Sequence, residues 1–441
     1  MDETSIHPMK RIRKDLGISQ MDVALGTQLS LSTIKHAERG DGIDRPSIGL
    51  ICTYFAEEHQ LQVTARDLGL KEGRKSRADS SNSRKQEDKI SSSISQDVSL
   101  EDKLIPTRFL NMEPELLLKR YESEKKRFIN LTVDTIKWTI PEIVIFDNTR
   151  ARFPATRISV QIDKTLPEYI IPEKIAGRAK DILEEIEHHF YDSTTIRLNG
   201  IQIDDTGITL LVSKTHYLQY VATNYAMDAL LKQKGWTRTL RDIVHPTTSL
   251  CKLEESLLCN HIGVGTFVFT LDNYLVIPVR SEANIATWQE KIGPSIAGAT
   301  SYDDDMWNFK AGPMASWMRE GREELGLENS DFAEENDIFF GITRDLLRGG
   351  KPEIYFATQL NITRAQVERK FRKARDKWEN KELRWLEFTS PLTPPTNRQE
   401  HATFLQEFFT CIDLYHDQLS RPAQIGFTFW YNYMTQSLVE V

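Results

Sequence analysis

Between residues 71 and 105 the chain holds too few apolar side chains to bury a core, so the protein must be built in at least two separate pieces. The stretch runs from Lys71-Glu72-Gly73-Arg74-Lys75 through Ser91-Ser92-Ser93 and is rich in Ser, Lys, Arg, Asp and Gln. Ordering one residue costs about 1–2 kcal/mol of backbone entropy, which apolar burial has to offset. The composition therefore predicts a disordered linker. Its first half is basic at Lys71, Arg74, Lys75, Arg77, Arg84 and Lys85. Beside a DNA-binding domain that charge adds salt-sensitive phosphate contacts; otherwise it is a solubilising spacer.

The flanking pieces have ordinary globular chemistry, with 39% hydrophobic and 27% charged residues over 441 positions. A formal net charge of −8 argues against a generic polyanion binder, so any nucleic-acid contact must come from a local surface. Four cysteines, none in a CxxC pair, fit a reducing cytoplasm rather than a disulfide scaffold. Cys259 and His261 are too few for a zinc site. The acidic start at Met1-Asp2-Glu3-Thr4 has no signal-peptide character, and no apolar run has the length of a membrane span, so no membrane partner is expected.

Residues 8–70 read as short helices. Ser19 is a good N-cap for a helix through Thr27, and Ser30 caps a second whose Ile34 and Ala37 face inward. Gly40 suits its end, and Ala24 is small where two helices must cross. Leu31, Ser32, Thr33, Lys35 and His36 are left on the outer face. Ser19-Gln20, Ala24, Ser32-Thr33-Ile34, Glu38-Arg39-Gly40 and Arg45-Pro46-Ser47 together resemble the Cro/C1-type (Xre) helix-turn-helix family over about 50 residues. Gln28 stands where that family usually has glycine. The resemblance implies an all-α domain that binds double-stranded DNA, commonly as a homodimer. Gln20 and Arg39 would touch phosphate or brace the turn, and Ser30, Ser32, Thr33, Lys35 and His36 lie at the reading face. The competing reading is a small helical domain turned to protein contacts.

Beyond the linker, residues 106–190 carry a helical pattern at 112–137 (Leu116, Leu117, Tyr121, Phe128, Ile129) and another at 173–190 (Ile175, Ala179, Ile182, Leu183, Ile186). Over 191–390 the period changes to two. One hairpin turns at Asp204-Asp205-Thr206-Gly207, and a second joins Val264–Leu271 to Tyr274–Val279. A helix over 311–325, strands at 338–342 and 354–360, a helix near 363–377 and a strand near 383–388 follow. In 391–441, Thr396 and Gln399 make a capping box for a helix with Phe404, Leu405, Phe408, Phe409 and Ile412 inward. The mixture predicts an α/β or α+β domain behind the helical one.

The second functional cluster is Arg319-Glu320-Gly321-Arg322-Glu323-Glu324-Leu325. On a helix, Glu320, Glu323 and Glu324 share one face, where their repulsion favours either solvent or a hard cation such as Mg2+. The string resembles the end of the Nudix box, GX5EX7REUXEEXGU. The Val264–Val279 hairpin and Ile296-Ala297-Gly298-Ala299 sit where that family has its first strands and Gly-rich loop. Ala311 replaces the first glutamate of the box, and Gly321 replaces its aliphatic residue. More narrowly, Arg197-Leu198, Leu210–Tyr217, Ala222-Thr223-Asn224, Gly341–Arg344 and Glu353–Phe356 resemble the animal Nudix hydrolases that cleave UDP-glucose. That likeness implies Mg2+ on Glu320, Glu323 and Glu324, and nucleotide contacts at Thr215, Tyr217, Thr223 and Asn224. Two functions follow as expectations. One is a regulator that reads DNA and senses a nucleotide or nucleotide sugar. The other is a Mg2+-dependent nucleoside-diphosphate-sugar pyrophosphatase that carries a DNA-binding domain. A protein–protein adaptor is a third, weaker option.

Overall fold

The computed structural model describes residues 7–27, 31–40, 42–43, 45–59, 61, 63–72, 113–133, 136–162, 168–186, 192–205, 207–231, 234–281, 289–302, 312–333 and 337–436, divided between two units, 1–96 and 97–441. The smaller unit is helical. α1 (Pro8–Asp15) starts on a proline, whose missing N–H costs nothing at that position. α2 (Gln20–Thr27) begins directly after Ser19, as the capping signal predicts. α3 (Leu31–Arg39) is closed by Gly40 at φ +77°, and α4 is Arg45–Glu58. Met9, Val23, Ala24, Ile34, Ala37, Ile51, Phe55 and Leu68 form the core.

Order in this unit extends past the boundary expected from composition. Lys71 and Glu72, assigned by the sequence to the linker, form β2 and pair in parallel with β1 (Gly42–Ile43). Backbone hydrogen bonding of so short a segment does not depend on apolar side chains, so composition is blind to it. The remainder of the expected linker, 73–105, lies outside the described residues.

The larger unit is organised by a mixed sheet of eight strands among the described residues. Its strands are β3 (Phe128–Val133), β4 (Ile136–Asp147), β8 (Gly263–Phe269), β9 (Tyr274–Arg280), β10 (Ile296–Ala299), β11 (Ile338–Asp345), β12 (Lys351–Gln359) and β13 (Asn380–Glu387). They run in the order β13-β9-β8-β12-β11-β4-β3, with β10 added against β8. β12 runs parallel to β8, while β11–β12, β4–β11, β3–β4, β9–β13 and β8–β10 are antiparallel. A second sheet holds β5 (Ile158–Ile162), β7 (Gly207–His216) and β6 (Thr194–Asp204), in that order. The Asp204–Gly207 turn and the β8–β9 turn, with Asn273 at φ +63°, fall where the sequence places them.

Both faces of the large sheet are covered. On one, Val264, Val268, Ile342, Ile354 and Phe356 pack with Trp317 of the Gly312–Leu325 helix and with Ile196, Leu198 and Leu210 of the small sheet. On the other, Phe267, Phe269, Leu275, Ile277 and Phe340 pack with Phe404 and Phe408 of the Arg398–Tyr415 helix and with Phe427 and Trp430 of the Arg421–Thr435 helix. Strands buried on two faces read as unbroken apolar runs, as β8 does.

Four expectations differ from the structure. Phe128 and Ile129 begin a strand and do not continue a helix: only Pro114–Arg120 is helical, followed by a 3-10 turn over Glu122–Arg127. Ile129, Leu131 and Val133 alternate into the core, a period-two signal that a window centred on Leu116 and Tyr121 masks. The 106–190 and 391–441 segments are integral to one body, since β4 pairs with β11 and the last two helices cover a sheet face. The helix expected near 363–377 ends at Phe371. The cap of the Arg398–Tyr415 helix is Asn397, whose side chain accepts from Glu400 N, while Thr396 bonds the Glu400 carboxylate.

The aromatic packing of the C-terminal helix yields a test. Trp430 is fully buried and donates through Nε1 to Pro391 O at 2.7 Å. Trp430→Ala is expected to destabilise the larger unit by about 3–5 kcal/mol in urea unfolding. Trp430→Phe is expected to cost about half of that.

Candidate functional site

In the smaller unit, Glu38 organises the approach of α1, α2 and α3. Arg13 donates to both of its carboxylate oxygens, at 2.6 and 3.3 Å, and Gln20 Nε2 donates at 2.5 Å. Arg13 and Glu38 are both buried, and Arg13 also donates to Ile18 O at 2.7 Å. Gln20 therefore ties the start of α2 to Glu38 late in α3. Ile34 and Ala37 point into the core, while Lys35, His36 and Arg39 are exposed on the other side of α3. Ser32 and Thr33 fall in the first turn of α3. Ser30 and Gln28 lie outside the described residues.

In the larger unit, the Gly312–Leu325 helix lies against β10. Gly321 makes this approach possible, because a Cβ there would meet Ile296 Cδ1 at 2.8 Å. A glycine at this position thus lets the helix press close to the strand. Arg319 fixes the outer face: Nη1 donates to Glu323 at 2.6 Å, and Nη2 donates to Glu320 at 2.5 Å and to Ala299 O at 2.8 Å. Glu324 points inward, is 2% exposed, and its Oε1 has no hydrogen-bond partner among the described residues.

A turn that the sequence reading did not connect to this site docks on the same helix. Asp376 N donates to Glu323 O at 2.7 Å, and Arg375 pairs with the Glu323 carboxylate at 3.3 Å. Glu379 follows, held by Arg280 at 3.5 Å. Burial pushes the Glu320 carboxyl up to about 8, with Glu323 and Glu379 adding to the rise and Arg319 opposing it. Burial, then the charges of Glu379 and Glu320, hold Glu324 well above the usual carboxylate range. Glu379 is raised by burial, with Asp376 and Glu323 adding to it and Arg280 opposing. Nothing in local spacing ties Glu379 to Glu320; the antiparallel β9–β13 pairing brings the turn there.

These carboxylates are not assembled as a ready cage: among the described residues no three His, Cys, Asp or Glu side chains are grouped to hold a metal ion. Glu324 keeps a buried oxygen unbonded, and the charge of Glu379 raises the proton affinity of both Glu320 and Glu324.

The four expected nucleotide-contact residues cluster, but around an internal knot. Thr215 Oγ1 donates to Gln219 Oε1 at 2.8 Å and lies 3.0 Å from Cys259 Sγ. Thr223 Oγ1 donates to Gln219 O at 2.7 Å and accepts from Cys259 N at 3.2 Å. Asn224 Nδ2 donates to Asn260 Oδ1 and Arg348 O at 3.1 and 3.0 Å, and its Oδ1 accepts from Asn260 N at 2.7 Å. All three are fully buried with their donors used inside the protein. Tyr217 is half-buried against Tyr220 and His261, and burial pushes its phenol up to about 12.

No family model matches the sequence, and no curated protein matches it. Among solved structures, the crystal structure of DR0079 from Deinococcus radiodurans is 14% identical, with 29% of this chain and 67% of that chain covered at a TM-score of 0.20. So low a score carries no argument about fold or function. Among the described residues no helix is long and apolar enough to cross a membrane.

Two outcomes follow from this geometry. Glu38→Ala leaves the Arg13 guanidinium buried without its carboxylate, and is expected to cost about 3–5 kcal/mol, read as lost hydrogen-exchange protection in α2 and α3. The raised Glu320 carboxyl retains a proton in the folded chain that the unfolded chain has lost. Its contribution is therefore full below pH about 4.5 and lost as pH rises to about 8. Glu320→Gln is expected to flatten that part of the stability–pH curve.

Proposed function

We propose that this chain is a DNA-binding transcriptional regulator whose larger unit, a Nudix-like domain, binds a nucleotide or nucleotide sugar. The observation that carries the DNA-binding half is α3, which buries Ile34 and Ala37 and turns Lys35, His36 and Arg39 outward. A helix so divided, with its neighbour braced through Gln20 and Glu38, has the shape needed to enter a major groove. In a Cro/C1-type reading Ser30, Ser32, Thr33, Lys35 and His36 face base edges, Arg39 adds a phosphate contact, and two copies occupy two half-sites.

The carboxylate helix supports the ligand half. Glu320, Glu323 and Glu324 would hold Mg2+, with Glu379 beside them, and a cation there would bridge the phosphates of a diphosphate ligand. Binding controls DNA affinity only if the ligand prefers one of two states of the chain. The unbonded Glu324 oxygen also favours a second reading, a Mg2+-dependent nucleoside-diphosphate-sugar pyrophosphatase.

The DNA-binding half is tested by selecting genomic fragments with the full chain and measuring affinity by fluorescence anisotropy across a salt series. Lys35→Ala and His36→Ala are each expected to weaken binding about tenfold, and a phosphate-contacting Arg39 lost to Ala to reduce the salt slope by about one. Absence of DNA binding at low salt overturns this half. UDP-glucose turnover that is lost in Glu323→Gln or Glu324→Gln establishes the enzyme reading. Metal-dependent ligand binding without turnover establishes the sensor.

A further inference from the structure

The run Lys119-Arg120-Tyr121-Glu122-Ser123-Glu124-Lys125-Lys126-Arg127 leads from the Pro114–Arg120 helix into the 3-10 turn before β3. Its side chains divide into two sets. One set pins the turn to the body of the larger unit. Arg120 pairs with Asp242 at 3.0 Å and donates to His245 O at 3.0 Å. The buried Tyr121 hydroxyl lies 2.8 Å from His245 Nδ1, and Ser123 Oγ donates to Thr248 O at 2.6 Å. Glu124 accepts from Leu250 N at 3.3 Å and pairs with Arg127 at 3.0 Å.

The other set is left outside. Lys119, Lys125 and Lys126 are exposed, and among the described residues their ammonium groups form neither a hydrogen bond nor an ion pair. Lys214, Lys234, Lys351 and Lys370, by contrast, each reach a carboxylate. The three free lysines are gathered in one place. With Glu122, Ser123 and Thr248 they line a cleft of about 390 Å³. Glu122 is the single acid there, so the cleft keeps an excess of positive charge in a chain whose formal net charge is −8. Ser123 spends its proton on Thr248 O, so the donors left to a partner are three ammonium groups and the Thr248 hydroxyl.

The lining also says what kind of anion fits. A small-molecule site encloses its ligand and lines it mostly with apolar and aromatic groups. No aromatic or aliphatic side chain lines this cleft, so it has nothing with which to grip a base or a sugar ring. Lysine ammonium groups on a pinned turn bind phosphate charge without reading what the phosphate is attached to. The smaller unit has use for such help. Residues 1–72 hold nine Lys and Arg against eleven Asp and Glu, so the helical unit brings little net attraction for a duplex of its own.

We propose that this cleft is a second DNA contact, blind to sequence, in which Lys119, Lys125 and Lys126 seat the backbone phosphates of a duplex. The inference rests on the DNA-binding reading of α3. The helical unit selects the site, and the cleft supplies affinity that fades with salt as counterions compete.

The test is fluorescence anisotropy with the full chain over a salt series, on duplexes that the unaltered chain selects and on scrambled duplexes of equal length. One variant combines Lys119→Gln, Lys125→Gln and Lys126→Gln, three side chains that bond to nothing in the fold. It is expected to bind every duplex on the order of tenfold more weakly and to lower the salt slope by about one per lysine. Its preference for selected over scrambled duplex is expected to be unchanged. A control takes away equal charge from exposed Lys174, Lys180 and Lys373 by the same Lys→Gln change, and is expected to keep affinity within about twofold. Equal weakening in the control, or an unchanged slope in the cleft variant, overturns the proposal and leaves the α3 reading standing. Weakening in the cleft variant, while Lys35→Ala and His36→Ala bind as the unaltered chain does, supports the cleft and overturns the α3 reading. Absence of binding to any duplex overturns both. Acetylation of the three lysines, read by mass spectrometry, is expected to slow when duplex is added. Protection by inorganic pyrophosphate but not by duplex assigns the cleft to a free phosphate compound and overturns the proposal.

Discussion

The parallel pairing of β8 with β12 is the joint on which the larger unit depends. It runs from Gly263 against Glu353 to Phe269 against Gln359. Parallel neighbours cannot be joined by a tight turn, so the chain between them has to travel. That excursion contains β9, β10, the carboxylate helix and β11. The first ladder therefore obliges the helix with Glu320, Glu323 and Glu324 to cross one sheet face. The C-terminal aromatic helices cover the opposite face, which keeps the same strands dry on both sides.

What the sequence could show depended on how local the cause was. Helices α2 and α3 were legible because Ser19, Ile34, Ala37 and Gly40 act within a turn or two of their own positions. The two hairpins were legible for the same reason. The long-range parts were not. Nothing near Glu379 announces that strand pairing will set it beside Glu320 and Glu324. Nothing near Leu131 announces that β3 and β4 complete a sheet whose other strands lie more than a hundred residues away.

The candidate site residues divide along the same line. Spacing alone put three glutamates on one helix, and the helix exists with Arg319 holding two of them. Thr215, Thr223 and Asn224 were singled out by resemblance. The structure places them together, but as braces between the Tyr217–Tyr225 segment and Cys259-Asn260. A polar side chain's type shows what it can bond, while its burial decides whether those bonds remain available.

The two-residue ladder between β1 and β2 has a mechanical meaning. It ties Glu72 to Ile43 and Lys71 to Gly42, only a short way past the end of α3. Any pull on the chain at Glu72 is delivered first to that ladder, which borders both α3 and α4. A two-residue ladder thus pins the last described residue of the helical unit to the segment between its third and fourth helices.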